Sequence, residues 1–409
     1  MRLAAAEPPA RSAASLAGSS RRSSPLRAAL VLCTALGASG QPPSPPFPSP
    51  ARPAPTFSWA TIPLAFHGAN TSGLYDASAV AQLSRYNMVT IEKWYTPCGA
   101  QHPQQSGPDC AVEDKMFATF AQLKAAAASD GRNLTTLLYL NTMFDFAFYR
   151  LNGIVEAREA AGEQVLLRDE HGTVVRLCND GDHYCNVTFF DHSLESVRAL
   201  WMEAVRNATA SGSVDGVFGD HATQQITPGG GGGAPATLCN GAPRLCWNFT
   251  DKFAAAFNLG HAWVVNATQD MLSRLPGAGP IIDGPYGAYN VSPCNYTSLR
   301  ARVLAGRAGD AAFVIEASAG GCAPDESCMA NFLCAAEEYT YLSCLSSGPV
   351  LPPFLPEYAR ALGAPTGPPV EAAGVVTRSF RSSAGLTTAR VDLASGNGTI
   401  AWAGAVAVA

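Results

Sequence analysis

From residue 61 onward the chain switches between two hydrophobic periods, and this alternation limits its fold more than any other feature. Short apolar runs of strand length, IPLAFH (Ile62–His67), MVTIEKWY (Met88–Tyr95) and LTTLLYLN (Leu134–Asn141), are each followed by more helical sequence. Asp76 stands as a helix cap before Val80, Leu83 and Tyr86, which share one side. A second helical stretch carries Met116, Phe117, Phe120 and Leu123 and stops at Gly131. VDGVFGDHA (Val214–Ala222) reads as a further strand, fed by a helix from near Ser193 that aligns Val197, Leu200, Trp201 and Val205. PIID (Pro280–Asp283) and AAFVIE (Ala311–Glu316) continue the series, with helices around Phe253–Val264, Tyr296–Ala305 and Asp325–Tyr341.

Such alternation predicts a parallel sheet covered by helices. An open doubly wound sheet usually has a Gly-rich phosphate turn after its first strand, and FHGANTSG is not one. The number of units favours a closed (β/α)8 TIM barrel, which needs about 250 residues. Residues 58–362 are therefore expected to form the barrel. VLLRDEHGTVVRL (Val165–Leu177) reads as an inserted hairpin turning at His171-Gly172. Beyond Gly363 the texture changes: VVTRSF, GLTTARVDL and GTIAW predict a small antiparallel β appendage over 363–409.

The first 40 residues have a different character. Arg2, Arg11, Arg21, Arg22 and Arg27 precede the apolar run AALVLCTALG and the small residues Ala38-Ser39-Gly40. The run is too short to span a bilayer, so a cleaved secretory signal is expected over 1–40, with a signal anchor or organelle presequence as alternatives. Residues 41–57 are a proline-rich linker. Nine Asn-x-Ser/Thr sequons, at Asn70, Asn133, Asn186, Asn207, Asn248, Asn266, Asn290, Asn295 and Asn397, fit a secreted glycoprotein. So do the 12 cysteines, many in close couples: Cys98/Cys110, Cys178/Cys185, Cys239/Cys246 and Cys322/Cys328. Cys294, Cys334 and Cys344 are left over. Without CxxC or HExxH no metal is expected, and no cofactor motif is present. At a net charge of −5 with no basic cluster beyond the leader, nucleic acid is not an expected partner.

In a parallel barrel the chemistry sits at the carboxyl ends of the strands. Those ends carry His67, then Glu92 with Lys93, Trp94 and Tyr95, then Asn141 leading to Asp145, then Asp220-His221, Asp283 and Glu316. Buried unpaired carboxylates are costly, so this row of acids needs a purpose. Asp215 enters its strand on the opposite side, where it is expected to cap or turn the chain. Carboxylate pairs beside aromatic rings suit cleavage of glycosidic bonds, in which one acid protonates the leaving oxygen and the other is nucleophile or base. Trp94, Tyr95, Phe144, Phe146, Tyr149 and Tyr286 are candidate platforms for sugar faces, with His67, Glu92, Asp145, His221 and Asp283 as further substrate contacts.

From about Phe66 to Trp402 the chain resembles the glycoside hydrolase-type TIM barrels of microbial and protist genomes. The resemblance is carried by DGVFGD (Asp215–Asp220), FFDHSLESVRALW (Phe189–Trp201), the hairpin LLRDEHGTVV, and EYARALGAP followed by TRSF and GTIAW. Gly219 stands where an aliphatic residue is commoner, and His221 where a small or amide residue is usual. The resemblance implies action on a polysaccharide or other glycan, with Asp220 as a catalytic carboxylate. Its partner is left between Asp283 and Glu316, of which Glu316 ends the cleaner apolar run. A non-catalytic glycan-binding barrel is the rival, and another extracellular chemistry such as a lyase is a third reading.

Overall fold

The structure is a computed structural model that describes residues 57–93, 95, 111–147, 149–169, 171–177, 187–222, 225–226, 250–274, 281–282, 288–290, 294–307, 313–316, 325–346 and 351–404. The chain opens with β1 (Leu64–Gly68), α1 (Ala77–Leu83), β2 (Met88–Ile91), α2 (Val112–Ser129) and β3 (Thr135–Asn141). An insertion follows, made of β4 (Phe144–Asp145), α3 (Arg150–Ala160), β5 (Arg176–Leu177) and β6 (Val187–Phe189). Then come α4 (Glu195–Ala210), β7 (Gly216–Asp220), α5 (Asp251–Ser273), β8 (Ile281–Ile282), β9 (Ala288–Asn290) and α6 (Tyr296–Arg307). The alternating part ends with β10 (Phe313–Glu316), α7 (Glu326–Ala335) and β11 (Thr340–Ser346). Local chemistry sets several helix starts: the side chains of Asp76, Thr250 and Asp325 accept from the amides of Ala79, Phe253 and Cys328.

Eight of these strands form one sheet in the order β8-β7-β3-β2-β1-β11-β10-β9, every pair parallel. β1, β2 and β3 are buried along their whole length, which is why they read as near-continuous apolar runs. The sheet is strongly curled. His67 on β1 and Phe218 on β7 have ring centroids 4.3 Å apart although β2 and β3 lie between their strands. In a flat sheet three strand spacings would separate them by about 14 Å. Their side chains therefore meet across a concave interior, while Phe66, on the alternate set, packs outward on Tyr75 and Tyr86.

The expected closed ring of eight β/α units is met only in part. Among the described residues the ladder has two ends, β8 and β9, and only residues 283–287 separate those strands. Neighbouring parallel strands need a crossover of about a dozen residues or more. β8 and β9 therefore do not bracket a β/α unit of their own, and the fold is an α/β barrel-like curl without a demonstrated (β/α)8 closure.

Other expectations are corrected in detail. The helix expected from Asp325 to Tyr341 stops at Ala335: Ala336 is extended, Tyr339 has φ 62°, and β11 begins at Thr340. Arg378 explains the stop, because its guanidinium donates to the carbonyls of Leu333 and Ala336 at the end of α7. The insertion does turn at Gly172, where Asp169 Oδ1 accepts from the amides of His171 and Thr173. Cys328 is joined to Cys294, with Cα atoms 5.3 Å apart, and not to Cys322. Packing of α6 against α7 decides that pairing, and nearness in sequence does not. The couples Cys98/Cys110, Cys178/Cys185 and Cys239/Cys246 lie outside the described residues. Cys334 is a buried free thiol that burial pushes up to about 12, too inert for a nucleophile.

The carboxyl-terminal strands β12 (Ala364–Pro365), β13 (Val370–Ala372), β14 (Val375–Ser382), β15 (Gly385–Asp392) and β16 (Gly398–Ala401) form an antiparallel sheet. It packs on α7 through Arg378, whose side chain is 3% exposed and sits 3.6 Å from Glu337. Close contact continues at Gly398, where a Cβ would lie 2.6 Å from that of Ala330. No helix among the described residues is long and apolar enough to cross a membrane.

Candidate active site

The two aspartates of DGVFGD lie at opposite ends of β7 and have separate roles. Asp215, before the strand, pairs with Lys124 at 2.5 Å and accepts from the Thr136 amide at 2.9 Å, which ties β7 to β3 at their amino ends. Asp220, at the carboxyl end, is partly open to solvent. Its Oδ2 accepts from the Tyr139 hydroxyl and from Asn141 Nδ2 (3.1 Å), and its Oδ1 accepts from the His221 amide (3.0 Å). His221 Nε2 lies 3.4 Å from Oδ2. No Lys or Arg among the described residues forms an ion pair with Asp220.

The Asp220 backbone is clamped as well. Thr142 donates to its carbonyl from both its amide (2.9 Å) and its hydroxyl (2.8 Å). His221, immediately after, takes a left-handed conformation at φ 66° and packs its ring on Phe144 of the insertion, centroids 4.6 Å apart. A non-glycine residue in this region carries strain of about 1 kcal/mol or more, held here by the contacts on either side.

β3 supplies the donors because Tyr139 and Asn141 share one face of the strand. Asn141 Oδ1 accepts from the amides of Met143 and Phe144, which aims its amide nitrogen at Asp220. Trp201 Nε1 donates to Asn141 O at 3.2 Å, and the Tyr149 hydroxyl donates to Tyr139 O at 2.5 Å. Both contacts fix the end of β3 from outside.

Behind Tyr139 the hydrogen-bonded chain continues across two more strands. Lys93 Nζ donates to the Tyr139 hydroxyl (2.7 Å) and to Glu92 Oε2 (3.2 Å), and Glu92 Oε1 lies 3.1 Å from His67 Nε2. The ammonium also sits 4.0 Å from the Tyr139 ring centroid. Burial alone would push the Glu92 carboxyl up, but Lys93 and His67 outweigh it and carry it down to about 2. Burial, with the charges of Asp220 and Glu92, holds the Tyr139 phenol well above its ordinary value. Tyr139 thus keeps its proton and is a committed donor to Asp220, polarised by the cation behind it. Lys93 and Asn141 stood in the row of strand ends without an assigned role, and Tyr139 is the site member that the sequence did not single out. Its period-two spacing from Asn141 in LTTLLYLN was the only signal for Tyr139.

Beneath Thr142 lie two buried histidines. His192 Nε2 donates to Thr142 O at 2.6 Å, and His261 Nε2 lies 2.9 Å from the Thr142 hydroxyl. Burial lowers His192 to about 4, so the ring is neutral and structural. α5 reaches this layer only because residue 260 is glycine: a Cβ there would lie 1.8 Å from His192 O.

The remaining candidates divide. Glu316 ends β10, and ladder register puts it in the same alternate set as Asp220. The set runs through Asn141, Tyr139 and Leu137 on β3 to Thr90, His67 and Ala65, then to Ser343 and Glu316. Tyr95 is not a platform: it is fully buried, its hydroxyl accepting from the Tyr75 amide and bonding Thr119. Phe144, Phe146 and Tyr149 are likewise internal, each 5% exposed. Asp145 is 3% exposed within the inserted sheet, where Asn152 binds its Oδ2 at 2.8 Å. Burial raises Asp145 to about 7, with Asn152 offsetting it only in part. Trp94, Asp283 and Tyr286 lie outside the described residues.

An Asp220 carboxyl with three donors, one of them backed by the part-buried Lys93 ammonium, is arranged to face a developing positive charge or an attacking water.

No known family model matches this chain, and no curated protein matches it in sequence. Among solved structures it is similar to the glycoside hydrolase domain of PelA from Pseudomonas aeruginosa, at 14% identity over 69% of this chain and 95% of that one, TM-score 0.33. It is also similar to the cycloalternan-degrading enzyme from Trueperella pyogenes (14% identity, 71% of this chain, 44% of that one, TM-score 0.42). The GH36 alpha-galactosidase AgaB from Geobacillus stearothermophilus is a third (11% identity, 82% and 48%, TM-score 0.43). The chain spans about half the length of the latter two. With every TM-score below 0.5, the functional reading rests on the site and not on these likenesses.

Proposed function

We propose that this chain is a secreted glycoside hydrolase in which Asp220 and Glu316 are the reacting carboxyls. One observation carries the reading: Asp220 stands at the carboxyl end of a curled parallel sheet with Tyr139, Asn141 and the His221 amide all donating to it. That environment suits the nucleophile or the base, and leaves Glu316 as the proton donor to the leaving oxygen. Glu92 is unsuited to donate a proton near neutrality, because Lys93 and His67 hold it ionised. Its role is to anchor the ammonium that polarises Tyr139. Export is supported by the apolar leader run, the sequons and the Cys294–Cys328 disulfide.

The test is a screen of purified protein against a panel of polysaccharides, followed by Asp220→Asn and Glu316→Gln on the best substrate. Loss of the acid is expected to lower kcat by about 10²–10⁴-fold and loss of the nucleophile or base by at least as much. Near-normal turnover in either variant removes that residue from the mechanism. Product stereochemistry then reports spacing: about 5–5.5 Å between the carboxyls gives retention and about 6.5–9.5 Å gives inversion. A non-catalytic glycan-binding barrel is the second reading, favoured by the Glu92–Lys93 ion pair at the mouth. Glycan-array binding without hydrolysis on any substrate would decide for it.

A further inference from the structure

Helix α5 presents an apolar stripe to solvent. Leu259 is 75% exposed and Trp263 50% exposed, and at four residues apart they share one face. The barrel does not need them: Ala254, Phe257, Val264 and Leu272 already carry the opposite face of α5 into the core. Arg198 of α4 lies over Trp263, its Cζ 5.4 Å from the ring centroid, which leaves the rest of the stripe open. Three residues beyond Trp263, the same stripe reaches Asn266, which is exposed and begins the sequon Asn266-Ala267-Thr268. In a helix the Cα–Cβ bonds tilt toward the amino terminus, so a substituent on Asn266 leans back over the turn that holds Trp263.

We propose that Asn266 carries an N-linked glycan whose first sugars lie along Trp263 and Leu259. In the transfer, the Asn266 amide nitrogen bonds to the anomeric carbon of a lipid-linked oligosaccharide, the lipid pyrophosphate leaves, and the amide loses one proton. Thr268 is fully buried in the finished fold, where its hydroxyl donates to Val264 O at 2.7 Å. The transfer therefore precedes folding of α5, and only the asparagine has to face outward afterwards. The apolar faces of pyranose rings pack on indole as they do in lectin sites, so the sugar covers the patch that the barrel leaves bare. Asn70 is the contrast. It follows β1 on the mouth side, is 9% exposed, and is held in a turn by bonds to Leu74 O and Ser72. A glycan there would have to break that turn beside the catalytic opening.

The inference rests on the export reading and not on the catalytic one, and its readouts involve no hydrolysis. The full chain is passed through a eukaryotic secretory host and its glycopeptides are mapped by mass spectrometry. Glycan is expected at Asn266, together with the exposed Asn133, Asn207 and Asn397, and not at Asn70. Amidase removal of the glycans, or Asn266→Gln, is then expected to raise the Trp263 share of acrylamide quenching roughly twofold, with Trp263→Phe as the reference. It should also increase binding of an apolar dye, whereas Asn207→Gln on α4 should change neither. An unmodified Asn266, a glycosylated Asn70, or no change in Trp263 quenching when the sugar is lost would overturn the proposal. Absence of glycan at every sequon would overturn it together with export, leaving the barrel chemistry untouched.

Discussion

Replacing Glu92 by glutamine removes one buried charge and keeps the side chain's shape. The folded carboxyl stands at about 2 against an ordinary 4.5. At about 1.4 kcal/mol for each tenfold change in proton affinity, that drop corresponds to about 3 kcal/mol of stability. Its sign follows from the direction of the shift. A depressed carboxyl contributes fully above its unfolded value, near 4.5, and the contribution is lost as pH falls toward about 2. Wild type and Glu92→Gln should therefore differ most at pH 6, and the gap should close by about 3 kcal/mol between pH 5 and pH 2. Urea unfolding followed by circular dichroism at half-unit pH steps measures the gap directly. A constant offset across that range would refute the reasoning, because it would mean that Lys93 and His67 do not stabilise the anion.

Three further perturbations probe other parts of the fold. Asp145 behaves oppositely: burial raises its carboxyl from 3.8 to about 7, so its stabilising effect is complete below about 4 and is lost as pH rises through 7. Asp145→Asn should gain on wild type over that range, by up to about 4 kcal/mol at pH 8 in urea melts, and an equal difference at pH 4 and pH 8 would contradict this. Gly260→Ala forces a methyl into the His192 carbonyl and should cost about 3 kcal/mol or more, seen as a lowered Tm. Opening the Cys294–Cys328 bridge, which spans 34 residues, by Cys294→Ser with Cys328→Ser should cost about 2–4 kcal/mol in the same melts.

The barrel-like layout was legible because β1, β2 and β3 are buried on both faces and so appear as unbroken apolar words. The split between Asp215 and Asp220 was legible for a related reason: residues at opposite ends of one strand cannot serve the same mouth. Tyr95 misled because proximity to a strand end says nothing about side; its hydroxyl turns to Tyr75 and Thr119. The end of α7 was hidden for a different reason. It is set by Arg378, more than 40 residues later, binding carbonyls that a sequence reading takes to be continuing a helix. Cys294 and Cys328 belong with this second case, as their meeting depends on how two helices pack. Lys93 was visible as a charge next to Glu92, but only the curl of the sheet shows that it reaches Tyr139.

The pairing of β1 with β11 brings Leu64 opposite Leu342. On a ribosome adding about 5–20 residues each second, the first strand leaves the tunnel tens of seconds before its neighbour exists. During that interval one border of the nascent sheet offers open amides and carbonyls to any passing chain. The segment bearing Asp220 and its donors, 64–220, is meanwhile contiguous and can assemble early. Shortening the chain before residue 340 removes β11, leaves the Leu64–Gly68 border open for good, and should turn the product toward aggregation.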